Sequence, residues 1–147
     1  SEKHTFKSLS YDKVKGQELR LKEFGLWDEL EEHWNTHIYP IVYDFWNPCH
    51  MWGMRDAFII KYEMGKQREL PLHNDASLVT GSVKLNDDYL GGQLVFPRQD
   101  FANKEIPVGK CILFPGQVTH GHSSVPILSG VKYSLTIWSQ RYEGDVI

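Results

Sequence analysis

The hydrophobic rhythm of the chain changes near residue 54, and the change divides it into a helical and a β part. Leu26, Trp27, Leu30, Trp34 and Ile38 recur at three- and four-residue steps, with Asp28, Glu29, Glu31 and Glu32 between them. That spacing gathers the apolar side chains on one face of a helix, and the acidic residues lie near its N-terminus, where the helix dipole favours them. Pro40 ends or kinks this helix, because proline has no N–H to donate. Ile41, Val42, Tyr43, Phe45 and Trp46 continue the apolar surface, so 26–46 is predicted helical, and Pro48 and Gly53 mark a loop. Residues 1–17 are polar and mixed and are expected to form an arm or an edge strand.

From Met54 onward, short apolar runs alternate with turn residues. Strands are predicted at Ala57 to Tyr62, Leu70 to His73, Ser77 to Leu85, Gln93 to Phe96, Lys110 to Phe114, Val118 to Ser123 and Val131 to Ser139. Gly65 to Glu69, Asn86-Asp87-Asp88, Pro97 and Pro115-Gly116 separate them, each with turn chemistry. Short strands at this spacing point to a sandwich or barrel. The expected architecture is therefore mainly β, with its core at 54–139 and a helix packed outside. Trp34 and Trp138 are expected in the core, and Cys111 as an inert buried thiol.

Length and composition narrow the function. At 147 residues, 1–147 is one domain. An apolar content of 41% and a charged content of 24% are ordinary for a globular chain. No run of eighteen apolar residues occurs, so no membrane partner is expected. A formal net charge of −3 lacks the basic balance that phosphate binding needs, so no nucleic acid partner is expected. Cys49 and Cys111 stand far apart with no CxxC, which suggests reduced thiols. With no basic segment leading into an apolar stretch, a cytoplasmic location is the expectation. The chain begins Ser1-Glu2-Lys3 without Met, so an upstream segment stays open. Nothing in the pattern sets an oligomeric state.

The histidines carry the chemistry. On an extended chain His73 and Asp75 point to one face while Asn74 turns away. Alone, such a pair is usually two solvated polar side chains. Thr119-His120-Gly121-His122 offers a further imidazole from a distant segment, completing a two-His, one-carboxylate face of the kind used by oxygen-activating Fe(II) enzymes. His120 and His122 share a strand face, so spacing does not choose between them. Ten residues after His122 comes Lys132, flanked by Val131, Tyr133, Leu135, Ile137 and Trp138. A lysine buried in such a strand needs an anion, because an unpaired buried charge is costly; the far carboxylate of a diacid would serve.

These residues together resemble the prolyl 4-hydroxylase superfamily of 2-oxoglutarate oxygenases, and within it the catalytic domain of procollagen-lysine hydroxylases. The resemblance runs through Lys61-Tyr62, His73-Asn74-Asp75-Ala76-Ser77, Leu85-Asn86, Asp88-Tyr89-Leu90-Gly91-Gly92, Pro115-Gly116, Thr119 to His122, Pro126, Gly130 and Lys132-Tyr133, from about Trp34 to Trp138. It implies a double-stranded β-helix, or jelly roll, with the site in its mouth. It implies that His73, Asp75 and His122 bind Fe(II), and that Lys132 and Tyr62 hold the C5 carboxylate of 2-oxoglutarate. Thr136 and Leu94 would line the cosubstrate pocket. Dioxygen, a peptidyl lysine or proline (or a small molecule), and ascorbate as reductant complete the implied set. Lysyl hydroxylases carry Arg where this chain has Lys132, whereas prolyl hydroxylases often carry Lys. Lys84 replaces an apolar or aromatic residue of the family and is expected at the barrel rim. The rival readings are another cupin-like metal enzyme and a non-catalytic jelly-roll binding module.

Overall fold

The computed structural model describes residues 17–46 and 53–147, so most of the expected N-terminal arm and Cys49 lie outside the described residues. The elements run β1 (Gln17–Arg20), α1 (Trp27–His33), α2 (Tyr39–Phe45), β2 (Met54–Glu63), β3 (Leu70–His73), β4 (Val79–Lys84), β5 (Tyr89–Gly91), β6 (Leu94–Phe96), β7 (Phe101–Ala102), β8 (Cys111–Pro115), β9 (His122–Ser124) and β10 (Ile127–Ser139). One antiparallel sheet has the order β1-β2-β10-β4-β8, with β5 paired to the first residues of β10. The second sheet has the order β3-β9-β6-β7. The fold is a jelly roll with a cavity between its two sheets.

In the larger sheet β2 and β10 are covered on both faces, and each carries apolar residues on both. Along β2, Ala57 and Ile59 turn outward to Trp34 and Val42 of the helical segment, whereas Phe58, Ile60 and Tyr62 turn inward to the cavity. Along β10, Leu135 and Ile137 take the outer face, and Lys132, Ser134, Thr136 and Trp138 line the cavity. The main apolar core thus lies between sheet and helices, and a smaller apolar cluster around Phe58, Ile60 and Tyr62 shares the inside of the roll with polar groups. Trp34 fits against the sheet because β4 has Gly81 there. A Cβ at that position would stand 3.0 Å from both the Trp34 ring and Cys111 Sγ.

Two local features differ from the sequence reading. The helix is not ended at Pro40: helical turns run on from Trp27 to Phe45. A π-helical turn, Trp34–Ile38, absorbs one extra residue before Pro40, and α2 then starts with Pro40 in its first turn, where no N–H is required. The predicted strand from Val118 to Ser123 is shorter: only His122–Ser124 pairs as β9. Val118 has φ of 64°, a left-handed conformation that no strand can contain.

Candidate metal centre

The antiparallel register of β3 and β9 sets His73 directly opposite His122. The two imidazole centroids lie 4.4 Å apart. Asp75 follows β3 by two residues, and its backbone N–H donates to Gly116 O at 2.7 Å, which pins it beside the turn that leads towards β9. Its Oδ1 lies 3.3 Å from His73 Nε2 and 3.3 Å from His122 Nε2. The other carboxylate oxygen, Oδ2, accepts from Thr80 Oγ1 at 2.9 Å, and Thr80 in turn is bonded to Ser77.

The hydrogen bonds on the far side of each ring decide its tautomer. His73 Nδ1 lies 2.7 Å from Pro71 O, and His122 Nδ1 lies 2.9 Å from His120 O. A carbonyl can only accept, so each Nδ1 is the donor and each neutral ring turns a lone pair on Nε2 towards Asp75. Three electron-pair donors then face one another, and without a metal ion only a proton taken up on Nε2 can bond a ring to the carboxylate. Such a cluster calls for a cation at its centre, and these three ligand atoms all lie within 4.8 Å of one another, close enough to hold one metal ion. The titration behaviour agrees. Burial pushes Asp75 up, but bonds to the two imidazoles outweigh it and hold the carboxyl far below its usual range. Burial pulls His73 down, and its bonds to Asp75 and Pro71 more than reverse that. The site favours positive charge. Phe96 and Phe114 pack on His122, at 5.3 and 4.8 Å between centroids, and shield that side of the cluster from water.

Lys132 lies in the same cavity, of about 1100 Å³. It is 4% exposed. Its Nζ donates to Gly92 O and, at 3.0 Å, to Ser124 Oγ, and sits 4.7 Å from the centroid of the Tyr62 ring. Tyr62 is its register partner on β2. Among the described residues no carboxylate pairs with it. Burial, with a further push from Lys84, pulls its pKa down to about 7. Gly92 is needed here: its φ is 69°, and a Cβ would come within 3.2 Å of the Lys132 side chain. Burial also pushes the Tyr62 phenol far above its usual range, so it stays protonated and can donate.

No protein-family model matches the chain. It is 30% identical over 126 residues to a procollagen lysyl hydroxylase and glycosyltransferase of Acanthamoeba polyphaga mimivirus, an alignment that covers 81% of this chain and 14% of that protein. It is 34% identical over 130 residues to human procollagen-lysine,2-oxoglutarate 5-dioxygenase 2, covering 86% of this chain and 18% of that one. The chain therefore spans less than a fifth of the length of these relatives. The crystal structure of a viral collagen prolyl hydroxylase from Paramecium Bursaria Chlorella virus-1, a 2-oxoglutarate complex, superposes with a TM-score of 0.67 at 16% identity, covering 84% of this chain and 78% of that one. The chain is similar in sequence to the lysyl hydroxylases and has the prolyl 4-hydroxylase fold.

Within that hydroxylase fold, all seven residues singled out from the sequence line one cavity: His73, Asp75 and His122, with Lys132, Tyr62, Thr136 and Leu94. His120 contributes its carbonyl, not its ring, which bonds Thr119 instead. Lys84 is directed to the rim, where Nζ donates to the carbonyls of Asn103, Lys104 and Ile106. Trp138, expected in the core, packs edge-on against Phe58 in the inner apolar cluster and also lines the cavity; it falls on the same alternate positions of β10 as Lys132. The sequence reading missed Thr80 and Ser124. Ser124 is two residues beyond His122 on the same strand face, and that period was the signal for it.

Proposed function

We propose that the chain is an Fe(II)- and 2-oxoglutarate-dependent dioxygenase domain that hydroxylates a C–H bond, the target being a lysine or proline in a peptide. The observation that carries this reading is the pairing of two features in one cavity. A two-His, one-carboxylate cluster opens on one side, and a buried ammonium without a protein carboxylate waits beyond it. A cupin-like metal site has no use for that ammonium, whereas a chelating diacid cosubstrate requires it. When bound, iron supplies dioxygen activation coupled to oxidative decarboxylation of the cosubstrate to succinate and carbon dioxide.

The chain's own residues hold and orient. His73, Asp75 and His122 would occupy one face of the ion and leave adjacent positions for cosubstrate and oxygen. Thr80 holds Asp75 in its ligating orientation, and the carbonyls of Pro71 and His120 do the same for the rings. Lys132 would clasp the far carboxylate as a charge-assisted donor, with the Tyr62 and Ser124 hydroxyls sharing its acceptor positions. Thr136 and Leu94 would form the wall along the cosubstrate chain. Lysine as the target is supported by the names of the relatives, proline by that of the structural neighbour.

The test is succinate release from Fe(II), ascorbate, 2-oxoglutarate and oxygen, with lysine- and proline-containing peptides. Turnover should be stimulated by lysine peptides and abolished in His122→Ala and Asp75→Ala. Turnover that survives in either variant, or a wild-type protein that makes no succinate with any peptide, would overturn the proposal.

A further inference from the structure

At the cavity mouth, the turn between β8 and β9 contains a residue in a conformation its side chain opposes. Val118 has φ of 64°, and the Thr119 N–H donates to Gln117 O at 2.8 Å across it. A bond from residue i+2 back to i around a positive φ is the strained form of the γ-turn, and a β-branched side chain makes it worse. The turn is forced from both sides. Asp75 N–H donates to Gly116 O, Gly116 N–H donates to Leu78 O at 3.1 Å, and Gln99 Nε2 donates to Thr119 O at 2.9 Å. Gly116 and Gly121 stand in the same loop, so glycine is used there, yet not at the strained position. Strain that persists where a glycine would relieve it points to the side chain itself.

That side chain is 79% exposed and lines the cavity mouth. Leu72, 64% exposed, lines the same mouth from β3 and lies over Gly121. Asn74 and Gln117 are the neighbouring lining residues, and neither segment 70–74 nor segment 116–121 contains Lys, Arg, Asp or Glu. These two segments therefore offer two exposed apolar groups and two amides, while the charged lining residues Glu18 and Arg55 stand on β1 and β2. Amides can bond the N–H and C=O groups of a main chain, and apolar groups can cover uncharged side chains. A free amino acid would fit inside a cavity of about 1100 Å³ and would need no such rim. An extended polypeptide that delivers one residue inward would.

We propose that Val118 and Leu72 form an apolar clamp on the residue next to the target in an extended peptide, with Val118 as the determinant of which flanking residues are accepted. This rests on the hydroxylase reading only for what happens to the target residue. Binding is therefore measured without turnover. Protein loaded with Mn(II) and 2-oxoglutarate under anaerobic conditions is titrated with fluorescein-labelled nonapeptides, centred on lysine or proline, whose flanking positions are varied one at a time. Wild-type protein should prefer uncharged over acidic residues at one flanking position by roughly fivefold or more. Val118→Gly should flatten that preference without lowering the melting temperature, because it relieves the turn. Val118→Asp should shift the same position towards Lys and Arg. An identical flanking profile in all three proteins, or a flat profile in the wild type, would overturn the clamp. Succinate release from the same peptides separates the two ideas. A Val118-dependent profile without succinate sinks the hydroxylase reading alone, and succinate with an unchanged profile sinks the clamp alone.

Discussion

Replacing Lys132 by Met should make the cosubstrate-free protein more stable at low pH, although it removes a residue at the centre of the site. Burial takes the ammonium from an ordinary 10.5 down to about 7. Between those values the unfolded chain binds more protons than the native one, so native stability rises with pH across that window. Below pH 7 both states are protonated, and the native state bears the whole cost of the buried charge. A displacement of that size corresponds to roughly 3–5 kcal/mol. Against it stand the bonds to Gly92 O and Ser124 Oγ, whose loss costs about 1 kcal/mol each. The variant should gain about 1–3 kcal/mol at pH 6, or roughly 3–8 °C in Tm for a chain of this size. The gain should shrink as pH rises, vanish at about pH 9 and turn into a loss of about 1 kcal/mol by pH 10, where the lysine is neutral in the wild type and only its lost hydrogen bonds count. Thermal unfolding followed by circular dichroism at pH 6, 8 and 10, without 2-oxoglutarate, measures it. Calorimetry on the same protein should find no 2-oxoglutarate binding. A variant less stable than wild type at pH 6, or a difference that ignores pH, would refute the view of Lys132 as a charge held at a cost for an absent anion.

Further outcomes follow from the same geometry. At pH 8 the wild-type lysine is mostly neutral, so 2-oxoglutarate binding should take up close to one proton, about 0.9, read from calorimetry in buffers of different ionisation enthalpy. Thr80→Val removes the donor to Asp75 Oδ2 and should weaken divalent metal binding by about 10- to 100-fold with little change in circular dichroism. Gly116→Ala would place a Cβ 1.9 Å from Ser77 Oγ and 2.5 Å from Ser77 O, so the turn must move and take the Asp75 anchor with it. It should cost about 1–3 kcal/mol in denaturant unfolding and weaken metal binding as well.

Much of the site was legible because strands repeat every two residues. His73 with Asp75, and Lys132 with Thr136, fall on common faces by spacing alone, and the structure places each pair in the cavity. The same period could not separate His120 from His122, which share a parity. That choice is made by register, which sets His122 across from His73, and by the use of the His120 carbonyl as a support for the second ring. Register is a property of paired strands and is invisible in one of them. The start of β9 differs from the expected one because Val118, a strand-favouring residue, sits in a left-handed turn imposed by bonds from Gln99 and around Gly116. Trp138 is part of an apolar cluster as its type suggests, but the sheet is covered on both faces, so an apolar residue on β10 carries no mark of which cluster it joins. The π-helical turn Trp34–Ile38 precedes Pro40, and the three- and four-residue spacing of the apolar residues gives no sign of its extra residue.

The central claim is that His73, Asp75 and His122 hold one metal ion between them. Titration with Mn(II), followed by electron paramagnetic resonance of the free ion, tests it directly across four alanine variants. One ion should bind per wild-type chain and per His120→Ala chain, and binding should be lost in His73→Ala, Asp75→Ala and His122→Ala. Wild-type affinity in any of those last three, or loss of binding in His120→Ala with His122→Ala unaffected, would contradict it.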